Sequence, residues 1–360
     1  MKNNHIQGIR GIAALVVFVS HVIPLEGTEF IYRTPFAVFI DGGAAVMLFF
    51  LMSGYFAFRE PFSAKDTLKA LLRKIVRIYP AYVICLLLGL LGFLLIGWKE
   101  AYTTSIYGVL AYSWSQSFQV KDFLIQCLMF VKTTDAAIVN PPVWTMLIEM
   151  RLAILLPFLY LPLYVTRIRD SKLSTAMYYA IVLTVCQFAS TRLGISLFYW
   201  ITIFVTGGCL HLCLNQRWFC SGNLKNVAIY ALSAFAILLM GVGRYYAVSV
   251  EYKDYLNYIS TLGTAMLLAF IMSYPKAFAI LECKWLVFIG DISYYFYLIH
   301  WVVLSFTRDL AVFLNIEIGL PRSVSYSVYT LTSFAISLIV ASGLKYFVSR
   351  IGVGCKILKE

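Results

Sequence analysis

Ten apolar windows, each near the ~20 residues that a helix needs to cross a bilayer, run through this 360-residue chain. They fall at 8–26, 36–58, 78–97, 142–165, 174–191, 194–213, 226–243, 256–274, 286–307 and 324–348. A backbone surrounded by hydrocarbon must satisfy its hydrogen bonds internally, and continuous apolar segments of this length do so as helices. Only 13% of the residues are charged and 61% are hydrophobic, against roughly 25% charged in a soluble domain. The expectation is an all-α integral membrane protein of about ten transmembrane helices, with residues 1–360 forming a single membrane domain. No internal repeat and no Ser/Gly-rich linker divides it.

The stretch 102–131 is the exception, because Lys121 and Asp122 split it into two pieces that are short or polar for a span. Charge distribution bears on its placement. Lys2, Arg59, Lys65, Lys69, Arg167, Arg169 and Lys172 gather in loops on the N-terminal side of a ten-span arrangement, whereas Glu26, Glu29, Glu100, Glu251 and Asp254 gather opposite. A single crossing by 102–131 would invert every later loop and weaken this bias. An outer-side or re-entrant helical pair near 102–131 and two cytoplasmic termini are therefore expected. The net charge of +12 is then read as topology, and no nucleic-acid binding is expected.

The eight cysteines are scattered, mostly inside apolar segments, and imply no disulfide framework. Cys209-Leu-His211-Leu-Cys213 superficially resembles a metal site, but alternate residues on a helix point roughly 200° apart. No metal is expected. The N-terminus lacks a small-x-small cleavage site and carries Arg10, so it reads as a retained first helix.

Ionisable residues within spans are costly and point to function. Arg10 and His21 share the first span with ten residues between them. Eleven steps of about 100° bring them to one face, ~16 Å apart along the axis. Glu149 lies ~10 Å into its span, a depth similar to that of His21. A carboxylate beside an imidazole fixes its tautomer and raises its basicity. The alternatives are that Glu149 pairs with Arg151 and that His21 is a hydrogen-bonded packing residue. Arg73, Lys74 and Arg77 open the third span on the side of Arg10, a cluster suited either to phosphate oxygens or to lipid headgroups. The second span, with Gly42-Gly43, Phe49-Phe50 and Ser53-Gly54-Tyr55, supplies small residues for close helix approach or a ligand contact. Asp291, Ser293, Tyr294, Tyr297 and His300 belong to the ninth span. The tyrosines suit an aromatic belt, and His300 suits either a site or a polar packing position.

In order along the chain, these motifs resemble the membrane-bound acyltransferase 3 family. The resemblance rests on Arg10-x10-His21, on Gly42-Gly43 through Tyr55, and on Lys74-x2-Arg77-Ile-Tyr-Pro80. It continues with Pro142-Val-Trp144-Thr-Met-Leu-Ile-Glu149 and with Gly290-Asp291-Ile-Ser293-Tyr294 through His300. Three positions depart from the family pattern: Lys74 where arginine is commoner, Thr145 for the usual serine, and Asp291 where a basic residue is frequent. The esterase-like C-terminal domain of some polysaccharide-modifying members is not expected here.

The resemblance implies transfer of an acyl group, most often acetyl, from cytoplasmic acyl-CoA to a sugar hydroxyl of a surface polysaccharide or its lipid-linked oligosaccharide precursor, in a bacterial inner membrane. It implies that His21 is a general base or a transient acyl carrier, oriented by Glu149. Arg10, Arg73, Lys74 and Arg77 are the expected ligands of the acetyl-CoA phosphates, and Trp144, Tyr55 and His300 are expected to contact substrate. Two rival readings accompany this one: a transporter of a polysaccharide precursor or small acid that uses the polar stripe as its path, and an acyltransferase acting on a small molecule. No oligomeric state is indicated.

Overall fold

The computed structural model describes residues 4–23, 29–32, 34–57, 64–96, 120–129, 139–165, 171–193, 196–215, 225–245, 253–316 and 318–354. Its helices are α1 (Asn4–Val22), α2 (Glu29–Tyr32), α3 (Gly42–Ala57), α4 (Ala64–Ile96), α5 (Val120–Cys127), α6 (Trp144–Val165), α7 (Lys172–Leu193), α8 (Ser196–Asn215), α9 (Asn226–Tyr245), α10 (Lys253–Ser273), α11 (Lys284–Ile316) and α12 (Arg322–Gly354). Among the described residues there is no strand. Most of the stretch 102–131, and both chain ends, lie outside the described residues.

Each of the ten apolar windows falls on a helix. Six described segments combine the length and apolarity to cross a membrane: Asn4–Val22, Leu71–Leu95, Lys172–Leu193, Leu197–Asn215, Lys284–Arg308 and Arg322–Arg350. The pair Tyr258–Ser273 and Pro275–Glu282, bent by 96°, would make a seventh. Pro275 forces that bend, because it lacks the N–H that a continuing helix needs. Gly42–Ala57 and Asn226–Gly241 are apolar but shorter. The helix at α4 begins well before residue 78, its first turns carrying the basic residues that precede the apolar run.

The chain divides into two compact units, one of Met1–His5, Ile31–Leu71 and Ile148–Cys283, the other of Ile6–Phe30, Leu72–Leu147 and Lys284–Glu360. In the first, glycines bring helices into backbone contact. A Cβ on Gly54 of α3 would lie 2.1 Å from the Phe204 carbonyl oxygen of α8, and one on Gly207 would lie 2.1 Å from that of Leu51. Only glycine fits at such a crossing. Asp41 Oδ1 accepts the Gly43 N–H at 2.9 Å, satisfying a donor that the start of α3 leaves open. Gly263 repeats the device between α10 and α9, where its Cβ would meet the Ala236 carbonyl at 2.5 Å. Nearby, Ser260 donates to the Met240 carbonyl at 3.0 Å.

In the second unit, α11 is the central helix, with 67% of its apolar window buried against 28% for α12. Gly11 of α1 meets Leu286 and Gly290 of α11, Phe18 meets Phe296 at 5.8 Å, and His21 meets His300 at 5.3 Å. Numbers rise together on the two helices, so α1 and α11 run parallel. The same holds for α4, where the Tyr294 hydroxyl donates to the Ile78 carbonyl at 2.8 Å and Gly89 faces Val302. α12 runs antiparallel to α11: Lys345 pairs with Asp291, and Thr307 bonds Ser333 at 2.6 Å. The end of α5 is held against α4, because the Tyr79 and Tyr82 hydroxyls donate to the Cys127 and Gln126 carbonyls at 2.9 and 2.6 Å. Those carbonyls belong to the open C-terminal end of a helix.

Candidate active site

His21 stands in the last turn of α1, which stops at Val22. The sequence continues Ile23-Pro24, and a residue before proline is disfavoured in helical conformation. The imidazole therefore projects from a helix end rather than from mid-helix. Its ring stacks on that of His300, 5.3 Å between centroids and 20° between planes. Trp301 closes on it edge-first at 5.0 Å, while Phe18, Phe296 and Phe334 form an aromatic floor with centroids 5.4 to 6.0 Å apart.

His300 is fully buried. Its Nδ1 lies 2.7 Å from the Tyr297 carbonyl oxygen, and a carbonyl only accepts, so Nδ1 carries the proton and donates. In the neutral ring Nε2 is then the lone-pair nitrogen. That Nε2 and His21 Nδ1 are both buried without a hydrogen-bond partner among the described residues. Buried polar atoms normally find partners. Two unoccupied ring nitrogens on stacked imidazoles are an arrangement ready for a substrate's hydroxyl or carbonyl, because each offers a bond that the protein itself does not use.

A polar strap adjoins this pair. Asn140 precedes Pro141 in extended backbone, φ −152° and ψ 85°, and the prolines open a short helical turn, Pro141–Val143. Asn140 Nδ2 donates to the Leu298 carbonyl at 2.9 Å. The Tyr297 hydroxyl donates to the Pro142 carbonyl at 3.1 Å and accepts from Thr145 Oγ1 at 3.1 Å, which also lies 3.1 Å from that carbonyl. Thr145, standing where the family pattern has serine, thus keeps a hydroxyl function.

At the other end of the same bundle lie the cations. Arg10 adjoins Gly11, which packs at Leu286 and Gly290. Arg77 is exposed and interacts electrostatically with Tyr295, as does Asp291. Arg73 and Lys74 are half-exposed. Lys345 of α12 joins this group through Asp291. It supplies from another helix a positive charge at the position where the family pattern often has one on α11.

Trp144, at the head of α6, is 40% exposed and belongs to the His21 unit, whereas Glu149 on the same helix belongs to the other. Tyr55 is also in the other unit, buried and edge-on to His211 at 4.9 Å. His211 Nε2 lies 2.7 Å from Asn215, and Cys209 and Cys213 stand 4.0 Å apart, one helical turn from each other. Among the described residues no three His, Cys, Asp or Glu side chains group as a metal site would require. Asn140 and Trp301 were not singled out from the sequence. The Asn-Pro-Pro triplet and the aromatic directly after His300 were the signals present.

Comparison with known proteins shows the family of the chain as a whole. The family described as acyltransferase domain (Acyl_transf_3) matches residues 3–342. The chain belongs to the acyltransferase 3 family. An O-acetyl transferase of Shigella phage Sf6 is 33% identical over 97 residues, 27% of this chain. The chain thus spans 28% of that relative's length. No solved structure matches. The match takes in parts of both units and the segments that carry His21, Asn140 and His300.

Proposed function

We propose that the protein is a multi-pass membrane O-acyltransferase that moves an acyl group, acetyl in the simplest case, from cytoplasmic acyl-CoA to a hydroxyl of a surface polysaccharide or its lipid-linked precursor, in a bacterial inner membrane. The observation that carries the reading is the stacked His21–His300 pair with its two unoccupied nitrogens, set in a chain of the acyltransferase 3 family. In the proposed reaction His21 takes the proton of the acceptor hydroxyl as that oxygen attacks the thioester carbonyl. The C–S bond then breaks, and the thiolate leaves with the proton as free CoA thiol. A second route with the same products passes the acyl group through a His21 nitrogen. Trp144 and His300 are assigned to the acceptor, and Arg10, Arg73, Lys74 and Arg77 to the CoA phosphates.

Geometry supports a donor path along α1. Arg10 and His21 are ~16 Å apart along the helix, roughly the reach of an extended pantetheine arm, so phosphates held near Arg10 would present the thioester near His21. Helix directions support the proposed topology of ten spans with both termini on one face of the membrane. Parallel α1 and α11 require an odd number of crossings between them. The windows from 36–58 to 256–274 supply an odd number, and one crossing by 102–131 would make it even. The tyrosine-held end of α5, level with Tyr79 and Tyr82 of α4, favours the re-entrant form of that segment.

The test supplies membranes with acetyl-CoA labelled in the acetyl group. Label should pass to cell-surface glycan, with CoA thiol released, only in membranes holding the protein. Glycan of unchanged mass in cells with and without it, together with no thiol release, would contradict the proposal.

A further inference from the structure

His300 can stack on His21 only if the α11 turn that carries it is held in rotation as well as in depth. An α-helix with its side chains has a radius of roughly 5–6 Å, so turning α11 by ~20° would shift the His300 ring by about 2 Å. Misplacement of about 1 Å in a reacting constellation can cost on the order of 10²-fold in rate. The helix's own hydrogen bonds run along its axis and resist such a rotation of the whole element poorly.

What holds this turn comes from outside α11. Leu298 and Tyr297, the residues whose carbonyls would ordinarily be saturated by the helix alone, each receive a side-chain donor on the second lone pair of the oxygen: Asn140 Nδ2, from outside the helix, on Leu298, and His300 Nδ1, within α11 itself, on Tyr297. The Tyr297 side chain reaches back to the same strap through Pro142 and Thr145. Asn140 and Thr145 are buried, Asn140 completely, and two successive prolines stiffen the backbone between them by fixing φ. Asn140 Oδ1 is left buried and without a partner. A side chain kept only for packing would not need an amide here, since burying a polar oxygen without a bond is unfavourable.

We propose that the strap Asn140–Thr145 is a positioning clamp for acyl transfer. Asn140 and Tyr297 act through the 297–300 turn to hold the His300 ring against His21. This rests on the acyltransferase reading above and extends it to two positioning residues outside the assigned site. They touch the turn rather than the reacting atoms, so their loss is felt in the rate of the chemical step and not in donor binding.

The test measures CoA thiol release from acetyl-CoA by membranes holding the full chain and its native acceptor glycan. Asn140→Ala, Tyr297→Phe and His21→Ala are compared at matched protein levels. Tyr297→Phe keeps the ring and deletes only the hydroxyl bonds, so it decides the matter if Asn140→Ala fails to accumulate. The clamp predicts that kcat falls at least tenfold in Asn140→Ala and Tyr297→Phe, while KM for acetyl-CoA stays within twofold. Wild-type kcat in Tyr297→Phe, or a fall in kcat/KM carried by KM, overturns the clamp. Inactivity of His21→Ala in that case leaves the acyltransferase assignment standing. Full activity in His21→Ala overturns the assignment, and the clamp with it.

Discussion

At the scale of single residues, the tautomer of His300 has the sharpest consequence. Donation from Nδ1 to the Tyr297 carbonyl leaves Nε2 as the nitrogen offered to substrate. The amide of glutamine can reach where Nε2 stood, and that of asparagine where Nδ1 stood. His300→Gln should therefore retain more acyl transfer than His300→Asn, read as label passed from acetyl-CoA to glycan. The reverse order would show that the backbone contact, not Nε2, is what the site needs. His21 and His300 were both legible in the sequence as ionisable residues in costly places, but their contact was not. They lie almost 280 positions apart in the chain, and the pairing depends on the direction in which α1 and α11 pack. Asn140 was illegible for a different reason: an asparagine before two prolines reads as turn chemistry, and nothing local shows that its amide reaches Leu298.

At the scale of elements, helix contact is set by glycines that the apolar pattern does not distinguish. Gly42-Gly43 draw the eye as a pair, yet among the described residues the close crossing of α3 with α8 is made at Gly54 and Gly207. A Cβ at either would sit against a backbone carbonyl, where no side chain can yield. Gly54→Leu or Gly207→Leu should cost about 1–3 kcal/mol or more, visible as a lower melting temperature or lost monodispersity in detergent. Gly43→Ala should cost less, since its Cβ would meet only the Asp41 side chain at 3.1 Å. Element positions were legible because apolar windows of bilayer length are themselves the signal. The extension of α11 through Ile316 and the early start of α4 were not, because Arg308-Asp309 interrupts the apolar run of α11 and charged turns precede that of α4.

At the scale of the whole molecule, the proposed function needs a donor end and an acceptor end on opposite membrane faces. Cys283, exposed just before α11, and Ile318, exposed between α11 and α12, mark the two ends of one helix. In a chain otherwise free of cysteine, a membrane-impermeant maleimide should label Cys283 only from the cytoplasmic side. Ile318→Cys should be labelled only from the outside. Labelling of both from one side would remove the topology on which the donor path depends. The central claim is that His21 performs the acyl transfer, and the most direct measurement compares release of CoA thiol from acetyl-CoA by membranes holding the wild-type chain with release by His21→Ala at equal protein level. General acid–base catalysis is worth about 10²–10⁴-fold, so the rate should fall at least 100-fold. A His21→Ala rate equal to wild type, with glycan still acylated, would contradict the account.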